Sequence, residues 1–187
     1  NTFKNLIIKT AASSVNVLAG LVGANPKEFE EIKFKYIEAT PNQKQTNKLD
    51  KLLEMETKKE GLKIKLTHFA DPKIQRESFA FMELGKQFFF ETSKDYLNEN
   101  DEFEKYLRNK AGNDSISIKD AVSKLTDIKT IDSLVDSSNT LLVKNVLGYL
   151  KAKKDSTNIS VLKSEKQNSK NIGSESVFKI TYEMLEE

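Results

Sequence analysis

The chain has 187 residues, of which 37% are hydrophobic and 31% charged, with a net charge of +2. That length and apolar content support one modest core, so a single domain with an elaboration is expected. Cysteine is absent, which excludes disulfides, thiolate metal sites and cysteine nucleophiles, and lysine alternates with glutamate throughout, so neither half forms a basic nucleic-acid face.

The chain opens at Asn1 and is expected to be an excised piece of a longer protein. Residues 3–22 fit a helix. Phe3, Leu6, Ile7, Ala11, Val15, Leu18 and Val22 recur at spacings of three and four and make one apolar stripe. Lys9, Ser13, Ser14 and Asn16 break the apolar run, and a membrane span needs about 20 apolar residues. Residues 1–25 are therefore read as an N-terminal amphipathic helix packed on its own domain. The alternative is a surface helix touching membrane or a neighbouring domain, but its polar face carries few lysines.

"GANPKEFE" (23–30) reads as a turn. "EIKFKYIEA" (31–39) alternates, with Ile32, Phe34 and Tyr36 on one face and Lys33 and Lys35 on the other, as a half-buried strand does. "TPNQ" then signals a helix over 41–59, with Thr40 as the cap, Pro41 in the first turn and Gln43 closing a capping box. Leu49, Leu52, Leu53 and Glu56 share one face of that helix, and Gly61 is placed to stop it. "LKIKLTHF" (62–69) is a second strand, with Leu62, Ile64, Leu66 and His68 on one face. A strand, a crossing helix and a strand make a βαβ unit whose strands run parallel.

Pro72 ends that strand. From Ser78 to Leu97 the pattern is helical and rich in aromatics. Phe81, Leu84 and Phe88 form a core stripe, and the additional Phe89 and Phe90 imply either a second covering layer or a partner surface. A short acidic helix follows over about 100–109, then a loop at Gly112-Asn113. Residues 119–152 are mostly helical, with a break expected near Ser137-Ser138. "ISVL" (159–162) is a short strand, residues 163–176 a polar loop, and "VFKITYEM" (177–184) a last strand. The final two strands, close in sequence, are expected to pair as a hairpin. The fold class is α/β (α+β), a two-layer sandwich with a small mixed sheet and helices on one face.

The order β-α-β-α-β-β is similar to that of OmpA-like peptidoglycan-binding domains. The resemblance is carried by "IKFKYIEATPNQKQTNKLDKLLEMETKKEGLKIKLTHFAD" and, more weakly, by "YLKAKKDSTNISVL". With "NLIIKTAASSVNVLAGLVG" upstream and "ADP" closing the βαβ unit, the chain also resembles the C-terminal part of a domain-of-unknown-function family of large AsmA-like envelope proteins of Gram-negative bacteria. The resemblance implies an OmpA-like domain over 26–187 with a helical insertion at about 81–138. It also implies a periplasmic place in a longer, membrane-anchored protein, and a structural or interaction role in envelope assembly or lipid traffic. Envelope proteins or lipids are the partners it implies.

In the OmpA-like family an Asp after the second strand and an Arg on the second helix hold the zwitterionic diaminopimelate of peptidoglycan. By resemblance Asp71 takes the Asp position. The Arg position falls at Leu142, or at Asn139 one turn away, and neither side chain carries a guanidinium to pair with a carboxylate. Phe69 and Ala70 replace the Gly and Thr that the family carries before the Asp. Peptidoglycan anchoring through Asp71 thus needs a cation from elsewhere, and Arg76 and Lys144 are the candidates. The other role open to Asp71 is a cap after a strand. His68, the single histidine, shares its face with Ile64 and Leu66 and is expected in the core. One histidine supplies neither a zinc ligand set nor a base for a serine nucleophile. The chain is read as non-catalytic, with no metal or cofactor.

Overall fold

The computed structural model describes residues 8–9, 12–163 and 173–184. The chain divides into two compact units, Asn1–Asp71 with Asn139–Glu187, and Pro72–Ser138.

The first unit is a mixed sheet of five strands backed by helices. In chain order it holds β1 (Ile8–Lys9), α1 (Ala12–Leu21), a single 3-10 turn at Pro26–Phe29, β2 (Glu31–Lys35), α2 (Gln43–Lys58) and β3 (Leu62–Phe69). The later part of α6 (Ile128–Lys153), from Asn139 on, and the strands β4 (Ile159–Lys163) and β5 (Glu175–Met184) complete it. β5 lies between β2 and β3, antiparallel to both, while β4 pairs parallel with β3. The stretches expected as strands therefore share one sheet, and β2 and β3 run parallel as the βαβ pattern requires, with β5 between them.

The hairpin expected from β4 and β5 does not form. β4 takes the outer edge of β3, and β5 fills the gap that the βαβ crossover leaves between its strands. Sequence proximity does not choose the partner here. β5 in this central position pairs on one side or the other along its whole length, from Glu175↔Lys35 to Met184↔Leu62.

The helix expected over 3–22 is also corrected. Ile8–Lys9 is extended and pairs with Met184 and Glu183, on the length of β5 that β2 leaves open. The helix begins at Ala12. Residues 1–7 and 10–11, with the stripe positions Phe3, Leu6, Ile7 and Ala11, lie outside the described residues.

Period-two alternation decides which face is buried. Ile32 and Phe34 of β2, Leu62, Ile64 and Leu66 of β3, Ile159 and Val161 of β4, and Phe178, Ile180 and Tyr182 of β5 point into one core. Leu18, Ala19 and Val22 from α1 and its end, Leu49, Leu52 and Met55 from α2, and Leu142, Val146 and Leu150 from α6 close it. The opposite sheet face carries Lys63, Ser160, Lys179 and Thr181, all exposed. An α+β sandwich with helices on one face is what this pattern builds.

The helix cap differs from the expected box by two residues. Asn42 is the N-cap of α2, its Oδ1 accepting from the Lys44 and Gln45 amides, and Gln45 Oε1 accepts in return from the Asn42 amide at 2.7 Å. The shift has a packing reason. Gln45 is buried, and its Nε2 donates to the Lys33 carbonyl at 2.8 Å. With Lys48 Nζ donating to the Glu31 carbonyl at 3.3 Å and the Lys35 amide donating to Glu38 at 2.9 Å, the outer edge of β2 is occupied by side chains of α2 and by Glu38. That blunts an edge strand against pairing with another chain.

The second unit is helical, with α3 (Pro72–Thr92), α4 (Asn100–Ala111), α5 (Ile118–Leu125) and the start of α6. α3 starts at Pro72, earlier than the aromatic pattern indicates, because proline fits the first turn of a helix as well as it ends a strand. The expected break at Ser137-Ser138 is absent. It falls instead at Thr126-Asp127, where the Asp127 carboxylate accepts from the Thr130 amide at 2.8 Å and hydroxyl at 2.7 Å and so caps α6. Phe79, Leu84, Phe88, Phe103 and Leu107 form the core of this unit. Tyr96 lies across α3 at Gly85, where an added Cβ would sit 2.4 Å from the ring. Only glycine leaves room for that ring, which packs edge-on against Phe81.

Candidate functional site

The end of β3 is where the sequence places its candidate residues. The strand carries His68 on the buried face and Phe69 on the open face, then delivers Asp71 one residue past Ala70. Asp71 is partly exposed, and its amide donates to the Tyr36 hydroxyl at 3.2 Å. The same hydroxyl donates to the Gly173 carbonyl at 3.0 Å. Burial raises the pKa of Tyr36, and the nearby Asp71 carboxylate adds to the rise although the amide bond lowers it. A protonated phenol can serve both bonds at once. Tyr36 thus ties the end of β3 to the turn before β5 and fixes the backbone that presents Asp71. Sequence reading places Tyr36 only in the core. Its signal is a tyrosine at a strand end, where a buried ring needs a partner for its hydroxyl.

The other candidates differ in burial and in partners. Leu142 is 2% exposed and belongs to the hydrophobic core. Asn139 is buried to the same extent. Arg76, in the other unit, is engaged by both oxygens of Asp132, with Nη2 to Oδ2 at 3.2 Å. Lys144 is exposed on α6.

His68 is 1% exposed, and neither ring nitrogen has a hydrogen-bond partner among the described residues. Its ring lies 5.0 Å from that of Phe178, its cross-strand neighbour, and Lys163 is its partner on β4. Desolvation, helped by the Lys163 charge, pushes its pKa down to about 4. The ring is neutral at pH 7 and buried, so it is not placed to exchange protons with a solvent-borne substrate.

A buried carboxylate nearby in sequence has a structural role. Glu56, on α2, accepts from the Asn158 amide at 2.7 Å, the Thr157 hydroxyl at 2.7 Å and Lys154 Nζ at 3.0 Å. Burial alone would raise its pKa, but the three donors outweigh burial and hold it below the ordinary carboxylate range. The carboxylate organises the turn that launches β4. A cleft of about 390 Å³ runs beside β2 and is lined by Lys33, Lys44, Lys48, Glu31 and Glu38 among others. Its opposite charges offset one another, and its Gln45 is already committed to the strand edge. No cluster of three or more potential metal ligands occurs among the described residues, and none of their helices is long and apolar enough to cross a membrane.

In comparison with known proteins, no family model, no curated protein and no solved structure matches the chain.

Proposed function

We propose that this chain is a non-catalytic interaction domain of the periplasm, part of a longer AsmA-like envelope protein, with an OmpA-like sheet unit whose amino-acid clamp has been lost. The observation that carries this reading is the end of β3. Asp71 is held there by Tyr36 through its amide, while the position that should carry a guanidinium is Leu142, or Asn139 one turn away, both buried. A zwitterion would meet a carboxylate for its ammonium group without a bidentate donor for its own carboxylate. Two features support the fold family. From β2 onward the described helices and strands keep the order β-α-β-α-β-β, with extra helices between β3 and the helix before β4, and all the strands share one mixed sheet. The burial of His68 supports the non-catalytic part, because function has to be argued from the site. The place in the envelope rests on the sequence resemblance.

Peptidoglycan anchoring through Asp71 is the second reading, favoured only by the partial exposure of that carboxylate at the strand end. The envelope assignment is tested by location. Protease added outside spheroplasts of the source cells should cut this domain while cytoplasmic markers survive. Protection equal to that of the markers would contradict it.

A further inference from the structure

At the far end of α3 the helical unit turns apolar side chains outward. Phe90 is 89% exposed, Phe89 58% and Leu97 72%, although the neighbouring Phe88 is fully buried. The three lie close together along the chain where the helix stops. Ser93 takes a left-handed conformation with φ 61°, its amide donating to the Phe89 carbonyl at 2.7 Å, and the Leu97 amide is fixed by Asp95 Oδ1 at 3.0 Å. An ion pair between Lys94 and Glu102 brings the first turn of α4 to the same place. Packing inside the unit does not explain the two outward phenylalanines, since Phe79, Leu84, Phe88 and Phe103 already fill its core. Adjacent exposed aromatics at a helix end are a docking feature, and aromatic anchors dominate binding energy at interfaces.

The charges around the patch select the occupant. Lys94 and Lys110 are neutralised by Glu102 and Glu91. Asp95, Glu99 and Asp101, all exposed, have no cation within ion-pair distance among the described residues. This end of the unit is therefore acidic, which repels an anionic bilayer and attracts a cation. We infer that Phe89, Phe90 and Leu97, with Asp95, Glu99 and Asp101 in the turn after α3 and at the start of α4, form a docking surface for a basic amphipathic segment of a partner protein. Its apolar face covers the phenylalanines, and its Lys or Arg side chains meet the carboxylates. This inference names a partner for the interaction role proposed above. It rests on the 72–138 unit alone, so the envelope assignment can fail without affecting it.

The test uses the whole chain and a labelled synthetic helix of leucine and lysine, with a leucine and glutamate helix as control, followed by fluorescence anisotropy. Saturable binding to the lysine helix is expected. It should weaken at least tenfold in the double variant Phe89→Ser, Phe90→Ser, weaken again with added salt, and be reduced severalfold by Asp101→Lys in a chain with unchanged thermal melting. The glutamate helix should not bind. Absence of binding, equal binding of both helices, or equal binding by the wild type and the double variant would overturn the inference. Sedimentation of the chain alone gives the remaining outcomes. A dimer lost in the double variant would assign the patch to a second copy and overturn the basic partner, as would Phe90-dependent binding to phosphatidylcholine vesicles.

Discussion

Replacing Glu56 by alanine should lower the stability of the sheet unit by about 3 kcal/mol, because a buried carboxylate with three donors cannot be removed without stranding them. The Asn158 amide, the Thr157 hydroxyl and the Lys154 ammonium lose their acceptor together. Glu56→Gln keeps one acceptor oxygen and should cost less. The pH dependence has a definite sign. The folded pKa of Glu56 is depressed, so its contribution is present above the unfolded carboxylate range and is lost as pH falls through the folded value. Urea unfolding at pH 7 and pH 3 checks both statements. The alanine variant should show the large deficit at pH 7 and a smaller one at pH 3.

His68 should make the fold acid-sensitive in a different window. Its folded pKa of about 4 lies below its ordinary 6.5, so the unfolded chain takes up the proton first. Stability is fully present above pH 6.5 and falls between there and pH 4, by about 3 kcal/mol in all and at most about 1.4 kcal/mol per pH unit. His68→Leu removes both the titration and two unpartnered ring nitrogens. The variant should be as stable as the wild type at pH 7, or more so, and clearly more stable at pH 5. Equal loss of stability in both proteins between pH 6.5 and 5 would show that other groups control this window.

Much of the sheet unit was legible because its strands alternate strictly. Ile32 and Phe34, Leu62, Ile64 and Leu66, and Phe178, Ile180 and Tyr182 each read as a buried face, and each is buried. Strand pairing was less legible. Nothing local in "ISVL" or "VFKITYEM" says that β5 enters the middle of the sheet, since that choice depends on the gap left by a distant crossover. The cap of α2 was misplaced for a similar reason. Thr40 and Asn42 both suit an N-cap, and the tie from Gln45 to the Lys33 carbonyl decides between them. At the N-terminus, the helical spacing around Ile8 was overridden by a free length of β5.

The site was legible in part. The core position of His68 follows from alternation with Ile64 and Leu66. The double role of the Tyr36 hydroxyl, between Asp71 and Gly173, joins residues far apart in sequence and leaves no local pattern. Glu56 on an otherwise apolar stripe was visible as an anomaly, but its donors come from a turn about a hundred residues on. The outward Phe89 and Phe90 were legible as an excess of aromatics, and the exposure of both shows that no second layer among the described residues covers them.

The central claim, that the OmpA-like arginine position is taken by buried Leu142 or Asn139, is tested most directly by co-sedimentation with purified peptidoglycan sacculi. A charged, bidentate contact contributes about 1.5–3 kcal/mol, so its absence lowers affinity by roughly tenfold to a hundredfold. The account predicts that the chain stays in the supernatant at moderate salt and that Asp71→Ala behaves identically. Retention on sacculi that disappears in Asp71→Ala would contradict it and assign the domain to cell-wall anchoring.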